Sequence, residues 1–383
     1  MTIQTVLTAD RIFDGREFHQ NAALLIRDGY IHAILPQENL PENERSAERC
    51  FAYLVPGFVD WQVNGGGGVL FNETPTVAAT RAIARAHLKF GTTALLPTVI
   101  TDAPAVTDAA AHAVQEAILA EVPGIVGIHF EGPHLSKEKC GVHEPDFIRM
   151  MEPGDLERFT QPGLGAVVVT AAPENVEPSQ IGSLVKAGVT VSIGHTKANY
   201  ETARTAFAAG ASAVTHLFNA MAPLHHREPG LVGAAMENPD IWCGLIADGH
   251  HIHPAVLRMI CRTGPLSRLT LVTDAMSSVG SPSDTFLLNG RMVKRENGRL
   301  TVADGTLAGS DLDMLSAVKY SVGHCGVSLA SALQMATRNP ADMLKLPAHG
   351  RLSPGARADI LALNNDLELQ SIWLGGDKVS DLD

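Results

Sequence analysis

Apolar positions along this chain fall into two kinds of run. Near both ends they are short and rich in β-branched and aromatic residues: "TVLTADRIF", "AALLIRDGYIHAIL" and "CFAYLV" at the start, strands around Asp359 to Leu363 and Ile372 to Leu374 at the close. Asp-Gly and Pro-rich turns separate them, which is the pattern of tightly connected strands. Between these ends the pattern changes. Eight apolar runs, "GFVDW", "TTALLPTVI", "GIVGIHFEG", "AVVVTAAPE", "VTVSIGHT", "AVTHLFNAM", "WCGLIADGHHI" and "LTLVTDAM", alternate with stretches of helical composition. Thr76 to Phe90 is Ala- and Arg-rich, Asn199 to Ala209 is Ala-rich, and Pro254 sits where the first turn of a helix accepts proline. Such alternation predicts βα units on a parallel sheet.

Eight parallel strands predict closure. The expected fold class is therefore α/β, a (β/α)8 TIM-like barrel, with a small β-sandwich domain built from both chain termini, since the ends of a domain often lie close together. On this reading residues 1–55 and 346–383 form the sandwich and residues 56–345 the barrel. A barrel of this kind places chemistry where each strand passes into its following loop. The residues there are Gln62 and Asn64, Thr98, Glu131, Thr170, His195, His216, the group Asp248 to His251, and Asp274. Polar and charged groups after strongly apolar strands need partners, and a metal ion would satisfy several at once.

His195 and His216 stand 21 residues apart, so no local ligand spacing joins them. Either one alone reads best as a core histidine; their matching places at consecutive strand ends are the signal. Glu131 adds a carboxylate, giving a three-ligand set that leaves a position open for water. Its bland role is a helix cap or surface ion pair, which the following Gly132-Pro133 makes less natural. Asp274 can take and return a proton, or can simply start a turn. "HHIH" at 250–253 contains a metal-like HxH but runs into Pro254, and is read as a substrate loop. Gly65 to Gly68 lack the context of a phosphate cradle and are read as a flexible turn, and no GxSxG elbow supports a serine hydrolase.

Composition narrows the field. The 383 residues are 45% hydrophobic and 18% charged, a globular balance with ample core material. A net charge of −12 argues against a nucleic-acid partner, which would call for a basic face. No basic segment precedes an apolar core in "MTIQTVLTADRIFDG" and no run reaches the length of a membrane span, so a soluble, cytoplasmic protein is expected. Cys50, Cys140, Cys243, Cys261 and Cys325 are scattered and never form a CxxC pair, so they are expected to be reduced.

The strings "PGFVDWQVNG", "HFEGPHL", "GHT", "THLFNAM", "REPG", "ADGHH", "VTDAM" and "LAGS", in this order, resemble the N-acetylglucosamine-6-phosphate deacetylases of the amidohydrolase superfamily, over essentially the whole length. The resemblance implies hydrolysis of the N-acetyl group of N-acetylglucosamine 6-phosphate to acetate and glucosamine 6-phosphate in amino-sugar metabolism. It also implies one divalent metal held by Glu131, His195 and His216, with zinc first in line and iron or another divalent ion as alternatives. A water activated there is the nucleophile, Asp274 is general base and then acid, and His143 of "GVHEP" polarises the acetyl carbonyl. Asn219 and the backbone of Ala220 should contact the sugar phosphate, and Leu307 should line the sugar pocket. Arg227 and His251 should clamp the phosphate, across the interface of a homodimer. Alternatives are an N-acetylgalactosamine-6-phosphate deacetylase, another amidohydrolase, or an inactive scaffold. Where most amidohydrolases carry HxH after the first barrel strand, this chain has Gln62-Val63-Asn64. Amides are poor ligands for transition metals, so one metal rather than two is expected. Gln62 and Asn64 would then serve either as hydrogen-bond partners of the ligands and water or as plain structural amides.

Overall fold

A computed structural model describes residues 5–40 and 48–380; residues 1–4, 41–47 and 381–383, within the expected sandwich segments, lie outside the described residues. Eight parallel strands form one sheet in the order of the chain: Phe58–Val63, Thr92–Ile100, Gly127–Glu131, Ala166–Ala171, Thr190–Ile193, Ala213–Val214, Trp242–Leu245 and Leu269–Leu271. The sheet closes on itself just past its last strand. Asp274 N–H donates to the Gln62 carbonyl at 2.9 Å, Asn64 N–H donates to the Ala275 carbonyl at 2.9 Å, and Val63 bridges Ala275 in parallel. The expected (β/α)8 barrel is thus present.

The helices lie where composition placed them, each with a physical start signal. Thr76 caps Val77–Leu88, its hydroxyl accepting the Ala79 N–H at 3.2 Å. Asn199 caps Tyr200–Ala208 at 2.8 Å from the Thr202 N–H. Pro254 opens Pro254–Thr263, whose cap is the His253 ring accepting from Ala255 N–H. Such caps satisfy donors that have no partner within the helix. The wall between strands and helices is apolar, with Phe58, Phe130, Phe159 and Ile193 at 0% exposure, while Trp61 reaches across the barrel to His129 and Thr270.

Strands from both ends meet in a second sheet of seven, with Glu48–Pro56 at its centre between Thr5–Phe13 and Ile360–Leu363, Phe18–Arg27 beyond the first and Leu369–Leu374 beyond the second. It encloses its own core around Leu7, Ile12, Leu24, Ile360 and Trp373. A third, three-stranded sheet, Thr285–Leu288, Arg291–Glu296 and Arg299–Thr301, is inserted after the eighth barrel strand. Among the described residues no helix is long and apolar enough to cross a membrane. Cys140, Cys243, Cys261 and Cys325 are free thiols, as expected, and the Cys50 side chain lies outside the described set.

Candidate active site

The barrel brings Glu131, His195 and His216 to one point. Glu131 Oε1 lies 3.2 Å from His195 Nε2 and 3.1 Å from His216 Nε2, and the two nitrogens are 3.0 Å apart. His195 Nδ1 donates to the Lys139 carbonyl at 2.8 Å. In a neutral ring that bond leaves Nε2 as a bare lone pair facing the carboxylate and the second imidazole. Three electron-rich atoms converging this closely require something positive between them. Without a metal a proton fills the role: burial alone would lower His216, but the bond and charge of Glu131 outweigh it and hold the ring above its ordinary value. Burial likewise opposes the Glu131 charge, and the two rings overcome it and hold the carboxyl well below its usual range. One carboxylate and two imidazoles, all buried, are also a donor set that fits a divalent ion.

The backbone departs from strand geometry where these residues sit. His195, His216 and Asp274 have φ of +47°, +31° and +52°. Non-glycine residues held there cost on the order of 1 to 3 kcal/mol each, and sharp reversals of this sort gather at functional sites. They turn each side chain from the strand end into the barrel mouth. Gly132 (φ +95°) follows Glu131, and a Cβ there would lie 2.1 Å from the Thr101 hydroxyl, so only glycine fits.

Barrel closure lays Gln62 and Asn64 against Asp274. Asn64 Nδ2 donates to Asp274 Oδ1 at 2.7 Å, while Gln62 Nε2 lies 3.2 Å from both Asp274 Oδ1 and Glu131 Oε1. Both amide bonds therefore fall on one oxygen, leaving Asp274 Oδ2 free for the cavity. Desolvation, reinforced by the Glu131 charge, raises Asp274 to about 6. The amide oxygens of Gln62 and Asn64 are themselves buried without a partner.

His143 arrives on the loop after the third strand. The Thr101 backbone N–H donates to His143 Nδ1 at 3.3 Å, and the Thr101 hydroxyl lies 2.9 Å from the same atom. With Nδ1 accepting, the ring proton resides on Nε2. Burial lowers His143 to about 3, so the ring is a neutral donor and not a cation.

Glu131, His195, His216, Asn64, Asp274 and His143 line one cavity of about 350 Å³, together with Asn219, Ala220, His251 and Leu307. That size is within the roughly 300 to 1,000 Å³ of small-molecule sites. Arg227 is exposed and does not line the cavity of its own chain. Of the "HHIH" residues only His251 reaches the cavity, while His253 caps a helix. The four glycines make a tight turn: Gly65 and Gly66 are buried against Val69 and Leu70, and a Cβ on Gly65 would lie 2.4 Å from the Val69 carbonyl.

Two features escaped the sequence reading. Thr98 and Thr170, counted among the strand-end residues, belong to a polar layer beneath the site. His129 Nε2 meets Thr170 Oγ1 at 2.7 Å, Thr170 meets Thr215 at 2.6 Å, and Thr215 meets Ser192 at 2.6 Å, while Thr98 Oγ1 meets His129 Nδ1 at 3.3 Å. His129 stands two positions before Glu131, on the same face of its strand, and that spacing was the available signal. The other feature is the inserted three-stranded sheet. Its turns, Asn289-Gly290 and Asn297-Gly298, have positive φ at all four residues, and Asn-Gly between alternating residues is a strong hairpin signal. The sheet reaches back to the site: Arg291 Nη2 and Asn289 Nδ2 donate to the Val142 carbonyl at 2.7 and 3.2 Å, beside His143.

Comparison with known proteins agrees with this architecture. The amidohydrolase family model matches residues 53–379. An N-acetylgalactosamine-6-phosphate deacetylase of Shewanella sp. (strain ANA-3) is 47% identical over 324 residues, 85% of this chain and 82% of its own. A second protein of that name, from Escherichia coli O157:H7, is 36% identical over 381 residues, 98% of this chain and 99% of its own. The solved structure of an N-acetyl-D-glucosamine-6-phosphate deacetylase mutant from Mycobacterium smegmatis in complex with N-acetyl-D-glucosamine-6-phosphate superposes with a TM-score of 0.91 at 35% identity, covering 98% of each chain. With its matched length, its closed barrel and its carboxylate and imidazoles at the strand ends, this chain belongs to the amidohydrolase family.

Proposed function

We propose that this chain hydrolyses the acetamide of an N-acetylhexosamine 6-phosphate, giving acetate and the free amino-sugar phosphate. The observation that carries the reading is the convergence of Glu131, His195 and His216 in a cavity that Asp274 and His143 also line. Glu131, His195 and His216 would hold the divalent ion, zinc first in line; when bound, it supplies Lewis acidity and makes water nucleophilic near neutral pH.

The chain's own groups do the rest. Asp274 Oδ2 takes the proton of the attacking water and returns it to the amide nitrogen as the C–N bond breaks, so the nitrogen leaves as an amine and the acyl carbon as acetate. Burial at the barrel mouth raises this carboxyl, which favours its taking up a proton. Gln62 and Asn64 hold the other oxygen still. His143 donates from Nε2 to the carbonyl oxygen, where negative charge grows during attack. Asn219, the Ala220 backbone and Leu307 hold the sugar. His251 and Arg227 hold the phosphate, with Arg227 reaching the cavity of a second copy in a homodimer; its exposure, away from its own cavity, supports that arrangement. Arginine matches the geometry of phosphate oxygens.

The gluco epimer is supported by the solved complex with that sugar phosphate at 35% identity. The galacto epimer is a second reading, favoured by the 47% identity to a protein of that specificity. Acetate release measured on both epimers, each with and without the 6-phosphate and beside metal content per chain, tests the proposal. Turnover of a phosphorylated epimer with about one metal per chain is expected. A metal-free, inert protein in metal-supplemented buffer would instead mark it as a scaffold, and equal efficiency on unphosphorylated sugar would remove the phosphate clamp.

A further inference from the structure

The loop after the seventh barrel strand holds an acid that the reaction above does not use. Asp248 and His251 have side chains only 7% exposed. Asp248 Oδ1 accepts the backbone N–H groups of His250 and His251 at 2.8 and 2.9 Å, which folds the loop into a turn. Its Oδ2 accepts from His251 Nδ1 at 2.6 Å, the shortest of the three bonds. Burial alone would raise the Asp248 carboxyl, but the His251 ring outweighs it and, with the backbone N–H groups, holds it below the usual range, so it is an anion that only accepts.

The loop is also closed from behind. Gly249 has φ +78°, and a Cβ there would lie 2.3 Å from the Tyr320 hydroxyl at the end of the helix Met314–Tyr320. The His251 ring is thus held between a fixed carboxylate and the cavity it lines. A ring nitrogen that donates to a carboxylate carries its proton in either charge state, so the remaining nitrogen, Nε2, is the one offered to the cavity.

We infer that Asp248 is the positioning residue that sets the tautomer and aim of His251, so that Nε2 meets an oxygen of the sugar phosphate. The identity of that ligand rests on the function proposed above; the tautomer does not. The competing role is a turn closed by any Asx residue, and one substitution separates the two. Asp248→Asn keeps an oxygen for the two backbone N–H groups, which hold the amide in one orientation, and turns an NH2 toward His251. Nδ1 must then accept, and the ring proton moves to Nε2.

The test uses the full metal-loaded chain labelled with ¹⁵N-histidine. Long-range ¹⁵N–¹H correlation should show His251 protonated at Nδ1 in the wild type, and at Nε2 as well where that nitrogen donates to a phosphate oxygen, but at Nε2 alone in Asp248→Asn. Acetate release from N-acetylglucosamine 6-phosphate should show KM raised on the order of tenfold in Asp248→Asn, the scale of one charge-assisted hydrogen bond, with kcat within about twofold. Adding Asp248→Asn to His251→Gln should cost nothing more, because both act through one ring. A wild-type ring without a proton on Nδ1, a KM that does not move, or effects that multiply in the double variant would each overturn the assignment. Repeating the series on unphosphorylated N-acetylglucosamine locates the contact. A penalty that persists names a sugar hydroxyl, and one that vanishes names the phosphate. If the wild type releases no acetate, the proposed function falls, while the wild-type spectrum still decides for or against Asp248.

Discussion

Two acids of this chain are largely withdrawn from water in opposite surroundings. Asp359, in the sheet built from both termini, is met by its own cation: Arg357 Nε lies 2.9 Å from both of its oxygens, and Gly375 N–H donates at 2.8 Å. Asp274, at the barrel mouth, meets two neutral amides and the charge of Glu131. In the first region the chain matches its charge internally, in a sheet whose core is built of residues such as Leu7, Leu24, Ile360 and Trp373. In the second it gathers acceptors and leaves them to be matched from outside. Withdrawn charge that is paired marks structure; withdrawn charge left short of a partner marks a site for something positive.

That contrast can be broken most directly at His195. His195→Ala should lower turnover by more than about a thousandfold and lower metal content per chain; elemental analysis beside acetate release would read both, and a variant keeping full metal and most of its rate would end the comparison. Next in size, Asp274→Asn should keep the metal while kcat falls by about 10² to 10⁴-fold, the usual contribution of a proton-transfer group. On the other side of the comparison, Trp373→Ala empties a position that is 1% exposed. It should cost about 3 to 5 kcal/mol in urea unfolding and leave kcat of the folded enzyme as it was. A large drop in kcat there would mean the two regions are not separate.

The smallest effect concerns Asp60, fully buried on the first barrel strand beside Thr273. Burial raises it from 3.8 to about 7, against bonds from the Thr273 hydroxyl and the Gln62 N–H. The folded protein therefore holds this proton more tightly than the unfolded chain, and stability on its account falls as pH rises from about 4 to 7. Asp60→Asn removes that dependence. The melting temperature of the variant should gain on the wild type by a few degrees between pH 5 and pH 8; an unchanged gap would show that Asp60 is not held protonated.

Much of this was legible in the sequence. Parallel strands bury both faces, so they read as near-continuous apolar runs, and the first polar residue after each run is forced to the mouth; that is how Glu131, His195, His216 and Asp274 stand out. Asp60, His129, Ser192 and Thr215 stayed hidden because an inward polar residue within a strand looks, in one dimension, like an outward one. The order of strands was readable, but the contact of Asn64 with Asp274 is not: it arises from closure between positions 210 residues apart. The place of Arg227 was unreadable from pattern for another reason: it lies exposed on a surface loop, which carries no periodicity.

The inserted three-stranded sheet does more than cover the barrel. Through Arg291 and Asn289 it grips the Val142 carbonyl, one residue before His143, and just beyond its last strand the chain supplies Leu307 to the same cavity. Trimming this insert to widen the cavity would loosen His143 along with the wall, so the size of the cavity and the hold on that histidine are tied together in this scaffold.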